Sequence, residues 1–170
     1  MKALRFILPL AMFFGFTLTS TAQTSKMGLV DQQAIVLEMP EYSSAQTKYL
    51  EKETSKMKEI ETLYLQYQTK AQEYEELMMS GTLSSGAQQA KESELMDLQT
   101  RIQMADEMAQ EYLTEYNTDL MEPISMKVNA AIQAVAQANG FTHVTELSLF
   151  YVYPEGDDIT GKVKAHLGIQ

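Results

Sequence analysis

From Glu41 to Ser80 the chain contains no proline or glycine, and apolar residues recur along it at alternating steps of three and four. Leu50, Met57, Ile60, Tyr64, Tyr67, Ala71, Tyr74 and Met78 make up the line, with Glu53 interrupting one place. That is a heptad seam sustained over four repeats. As a helix the segment spans on the order of 60 Å at 1.5 Å per residue. No compact domain of this size can enclose such a helix lengthwise, so it must find its partner outside a globular core.

The partner follows directly. Gly81 and Gly86 bracket a Ser/Thr-rich turn, and from Ala87 a second seam begins: Leu95, Leu98, Ile102, Ala105, Ala109, Tyr112 and Tyr116. An Ala-rich stretch from Ile124 to Ala138 extends it. Pro123 lies inside this run, where it should kink the helix or mark the junction of arm and body. Asn139-Gly140 stops it, because glycine tolerates the left-handed conformation past a helix end. Two seams of matching length around one short turn bury each other by folding back, which predicts an antiparallel coiled-coil hairpin over 41–138 with its tip near 81–86. One continuous coil is the alternative, and the two glycines count against it.

The ends of the chain have a different grammar. Met27 to Val30 reads as a short strand, and Asp31 can cap a helical turn over QQAIVLEM before Pro40 breaks it and opens the long helix. Phe141 to Leu147 and Leu149 to Tyr153 are β-branched and aromatic, the composition of two further strands. After Pro154-Glu155-Gly156, Asp157 or Asp158 can cap a final helix with Ile159, Val163 and Leu167 on one face. The expected fold class is α+β and predominantly helical: a long hairpin inserted into a small β-containing body (26–40 and 139–170). Such a small core is marginal by itself, so oligomerisation through the body is a physical expectation.

The N-terminus MKALRFILPLAMFFGFTLTSTAQ has Lys2 and Arg5 ahead of an apolar stretch from Phe6 to Leu18. Ser20 and Ala22 fit a signal-peptidase site, placing the signal peptide at 1–22 and a single domain at 23–170. A membrane anchor is the alternative, disfavoured by the length of the stretch. The chain contains no Cys, which excludes disulfides, thiolate chemistry and a lipid-modified cysteine. Without Lys2 and Arg5, eleven basic residues face 23 acidic ones, a net charge of −12. That balance argues against nucleic acid, whose phosphates need basic neutralisation, and against bare anionic lipid.

No catalytic constellation emerges. His143 and His166 lack the spacing of a paired metal site, no Gly-x-Ser-x-Gly elbow or phosphate-binding glycine loop is present, and Glu73-Tyr-Glu75-Glu76 and Asp106-Glu107 read as solvated helix faces rather than calcium loops. No catalytic residue, metal or cofactor is therefore assigned. Methionine carries more information. Ten of the twelve Met residues lie beyond the signal segment, and Met is pliable enough to accept varied partners. Heptad phase puts Met57 and Met78 inside the seam. Met79, Met96 and Met104 lie off it and, with Leu83 in the turn, are the candidate client contacts.

The opening Lys26-Met-Gly28-Leu-Val30-Asp31 with Met39-Pro40-Glu41-Tyr42 resembles the start of OmpH/Skp family proteins. The close, Asn139-Gly140, two short strands and Asp158-Ile159-Thr160 before a helix with Val163 and Leu167, is similar to the family's C-terminal pattern. The resemblance covers almost the whole chain after the signal segment. It implies a periplasmic homotrimer whose strands assemble a central β body, with helical arms that hold unfolded outer-membrane proteins without ATP. Leu29, Val30, Val144, Phe150 and Val152 match body positions and are the expected core or trimer contacts. The best-known members are basic, with arms suited to acidic clients and lipopolysaccharide. At −12 this chain departs from them, which puts a lipopolysaccharide site in doubt and shifts steering toward basic or neutral clients. A structural coiled-coil scaffold or spacer of the cell envelope is the alternative function, and an enzyme a distant third.

Overall fold

The computed structural model describes residues 25–169; the segment read as a signal peptide lies outside them. Six elements follow in order: β1 (Met27–Val30), α1 (Gln32–Glu38), α2 (Pro40–Met79), α3 (Ser85–Ala138), β2 (His143–Glu146) and α4 (Thr160–Leu167). Local chemistry sets most of the boundaries. Asp31 caps α1 by accepting a hydrogen bond from the Ala34 N–H at 2.8 Å. Met39 is extended because the residue before a proline is pushed out of the helical region, and Pro40 then opens α2. The Met39 side chain is buried, anchoring the bend between the two helices.

The turn between the long helices is tighter than its glycines suggested. Only 80–84 lie outside helix: Gly81 takes φ +66°, Ser84 caps α3, and Gly86 is already within its first turn. At the other end Gly140 (φ +71°) and Phe141 close α3, their N–H groups bonding to the carbonyls of Gln137 and Ala136. α3 continues through Pro123 as one helix of 54 residues, with Pro123 at the level of Pro40.

β1 and β2 pair in parallel, Met27 opposite His143 and Val30 opposite Glu146. On the other side of β1, the Ile159 N–H donates to the Leu29 carbonyl at 2.8 Å. Gly28 lets β1 pass close to the Phe141 ring: a Cβ there would lie 3.1 Å from it, so the ring would have to give way slightly. The core beneath joins Val30, Ile35 and Met39 to Val128, Ile159 and Val163. Each such side chain contributes roughly 1.5–3 kcal/mol by burial. This core also takes in Ala45 and the base of α3 from Ile124 to Ala136, so the roots of both long helices lie within it.

Two expectations need correction. Leu149 to Tyr153 is not a strand: Leu147–Leu149 is a single 3-10 turn, and the residues after it run without a partner. Tyr151 and Val152 are fully or almost fully exposed, so Phe150 and Val152 are surface residues of the single chain. Strand composition reports fitness for a pleated, half-buried surface, and among the described residues no sheet edge pairs with the segment. The α2 seam is also rotated. Leu50, Met57, Tyr64 and Met78 are exposed, while Tyr49, Lys52, Lys56, Leu63 and Lys70 are half-buried beside Ile60, Tyr67, Ala71 and Tyr74. Tyr49, Lys56, Leu63 and Lys70 are themselves seven apart, so the heptad repeat persists and one of its two lines lies one residue earlier than the apolar pattern places it. The α3 seam keeps its phase from Leu95 to Ala109, with Leu113 replacing Tyr112 as the half-buried residue.

Candidate functional site

The contacts between α2 and α3 pair Glu41 with Lys127 at the root, Lys52 with Tyr116, Lys70 with Glu94, and Tyr74 with Glu92 near the turn. Residue numbers rise along one helix as they fall along the other, the geometry of a helical hairpin. Beyond the body its seam is thin: Leu98 and Ala109 are the buried apolar residues in it. Lysine stems and tyrosine rings do the rest. Lys56 Nζ lies 5.3 Å from the Tyr112 ring centre, and Lys52 Nζ 5.8 Å from both Tyr112 and Tyr116. Those two rings stack 5.9 Å apart at 13°. The aliphatic stems cover apolar surface while the ammonium groups stay wet.

Toward the turn the seam becomes electrostatic. Lys70 reaches Glu94 at 3.1 Å and Glu73 at 3.8 Å, and Lys91 reaches both at 3.7 Å, a closed ring of alternating charge across the helices. Beside it the Tyr74 hydroxyl donates to Glu92 at 2.7 Å. The Lys70 hydrogen bond holds the Glu94 carboxyl below the usual carboxylate range, and the Tyr74 hydroxyl, with Gln88, does the same for Glu92. A carboxylate with a lowered pKa contributes stability above its unfolded value and loses it as pH falls through the folded one. Acidification below the ordinary carboxylate range is therefore expected to loosen residues 70–94 before the body. Hydrogen exchange corrected for intrinsic rates reads this; equal protection of arm and body into acid would show that the ring holds nothing.

The predicted site residues separate into two regions. Leu29 and Val30 are buried in the body and Val144 is half-buried against its core, whereas Phe150 and Val152 stand on the surface. Of the candidate client contacts, Met79 is 81% exposed and lies with half-buried Leu83 at the turn; Met96 (69%) and Met104 (53%) lie on the outward half of α3. They form no single pocket. Met108 and Met126 are equally exposed and were missed, although the phase set by Ala109 and Leu113 points them outward. An open groove of about 560 Å³ between Pro40, Ala45, Leu120 and Ile124 marks the root of the hairpin.

Among the described residues no polar or charged side chain is buried, no cluster of His or carboxylate side chains is placed to hold a metal, and no helix is long and apolar enough to cross a membrane. His143 Nδ1 lies 3.0 Å from Thr142 Oγ1 and 3.3 Å from Ser25 Oγ, all on the exposed surface. Nothing there is desolvated, and desolvation is what tunes an acid or base for catalysis.

A thin-seamed helical hairpin on a small α/β body, with scattered exposed methionines, defines a helical-arm protein with a surface suited to many weak contacts. The sequence matches the model of the outer membrane protein (OmpH-like) family over residues 26–167, and the chain belongs to that family. Membership supports a chaperone role at the level of the family. A proposed OmpH-like outer membrane chaperone from Caulobacter crescentus CB15 shares the fold, with a TM-score of 0.73 at 14% identity over 84% of this chain and 83% of that one. Among curated proteins there is no significant sequence match.

Proposed function

We propose that this protein is an ATP-independent periplasmic holdase: a non-enzymatic homotrimer whose antiparallel coiled-coil arms bind unfolded outer-membrane proteins and prevent their aggregation. The observation that carries this reading is the scatter of exposed methionines along the arm, Met79 at the turn and Met96 and Met104 on α3, in place of one enclosed site. Many weak contacts on several arms bind by effective concentration and keep client strand edges from pairing with each other. Cleavage after Ala22 places the chain in the periplasm, and Leu149 to Tyr153 supplies the apolar surface through which bodies associate. At net −12 the arms favour basic or neutral clients over lipopolysaccharide.

A photo-reactive residue at Met79, Leu83, Met96 or Met104 is expected to capture an unfolded β-barrel protein diluted from urea, and to lose it once that protein has folded into micelles. The same label at Met39, buried in the body, should capture none. The second reading, a structural scaffold, is favoured by Leu50, Met57 and Tyr64, exposed and seven residues apart, as a partner helix would require. Labels at those positions that capture one fixed envelope partner, with no client at the methionines, would decide for it.

A further inference from the structure

α3 has a face that neither α2 nor the body covers. Met104, Met108 and Met126 are 53%, 65% and 64% exposed on it. Glu111, Glu115, Asp119 and Glu122 stand exposed between them. Successive members are three or four residues apart, so all fall within about 80° of arc along about 33 Å of helix. α3 has no Lys or Arg between Arg101 and Lys127. Like charges four residues apart, such as Glu111 with Glu115 and Glu115 with Asp119, repel one another within the helix.

Five carboxylates of the described residues, Glu38, Glu41, Glu59, Glu73 and Glu94, lie within ion-pair distance of a lysine, and others, such as Glu51, Glu61, Glu75 and Glu107, do not. Among the described residues, none of the four carboxylates on the α3 face does. Of the lysines alongside, Lys52 and Lys56 have their ammonium groups over the Tyr112 and Tyr116 rings, while Lys48 and Lys127 line a groove with Asp119 but form no ion pair with it. The face thus combines pliable apolar side chains with uncompensated negative charge.

We propose that this face of α3 is a docking surface for cationic amphipathic segments. Their Lys or Arg side chains meet the four carboxylates while their apolar side chains lie against the three methionines. Charge complementarity selects this occupant: an acidic segment is repelled, and the same face on a second copy carries the same charge. Thioether side chains adapt to varied apolar neighbours, so the surface reads charge pattern rather than sequence. The inference goes beyond the holdase reading, because the contact needs only the folded arm and holds even if no aggregation is suppressed.

Fluorescence anisotropy tests it on the folded full chain, with a labelled Leu/Lys amphipathic peptide of about the length of the face and a matched Leu/Glu peptide. The Leu/Lys peptide should bind, more weakly as salt rises, and the Leu/Glu peptide should not; this comparison needs no variant. The neutralised E111Q/E115Q/D119N/E122Q chain, with unchanged helicity, should bind the Leu/Lys peptide at least about tenfold more weakly. M104S/M108S/M126S should weaken it as well. Equal binding of the two peptides, no binding of either, or unchanged affinity in the neutralised chain would overturn the proposal. So would a loss of oligomer mass in the methionine variant with peptide binding intact, which would make the face a contact between copies. An aggregation assay on the same preparation separates these outcomes from failure of the holdase reading.

Discussion

Ile35→Ala is expected to lower the free energy of unfolding by about 2–5 kcal/mol, the range for removing a large aliphatic side chain from a packed core. Ile35 is completely buried. It sits where α1 packs between the root of α3 and α4, with Met39, Val128, Ile159 and Val163 also fully buried in the cluster. Little else is available to collapse into the space, because the body core is small and the long hairpin beyond it adds few buried residues. Urea unfolding followed by circular dichroism at fixed protein concentration measures the loss; fixing the concentration matters because assembly is linked to apparent stability. A change below about 1 kcal/mol would mean that the site relaxes as an exposed one does.

Val152→Asp should have the opposite profile: a chain that folds as before but no longer assembles. Val152 is 88% exposed in the single chain, so the substitution removes almost no intramolecular packing. If Leu149 to Tyr153 lies between bodies in the oligomer, the same change places an unpaired carboxylate in an interface, at a cost on the order of 2–5 kcal/mol per contact. Analytical ultracentrifugation reads the result as a shift from oligomer to monomer at unchanged helicity. An unshifted mass would move the assembly surface elsewhere on the body.

The same segment shows where sequence reading stops. Leu149-Phe-Tyr-Val-Tyr153 has strand composition, yet a strand is a relation to a neighbouring edge, and among the described residues it has none. Phe150 and Val152 were legible as apolar but not as exposed. β1, α1 and the limits of the long helices were legible because their causes are local: the Asp31 cap, the Pro40 break, the left-handed Gly140.

The hairpin seam divides in the same way. On α3, Leu95, Leu98, Ile102, Ala105 and Ala109 are apolar and in phase, and the structure keeps them in the interface. On α2 the interface includes Lys52, Lys56 and Lys70, which any apolar pattern assigns to solvent. Their stems pack while their charged ends reach tyrosine rings or carboxylates. Met57 was displaced outward as a result. A holding surface has no motif, so Met108 and Met126 stand out by their exposure in the fold and not by any pattern.

The central claim is that the arms hold unfolded outer-membrane proteins without nucleotide. It is tested most directly by light scattering of a β-barrel protein diluted from urea, with and without this protein and with no ATP present. Scattering is expected to be suppressed at roughly stoichiometric amounts of the assembled protein, since binding by many weak contacts saturates with the number of arms. Unchanged scattering across several clients, with this protein folded and oligomeric in the same buffer, would contradict it.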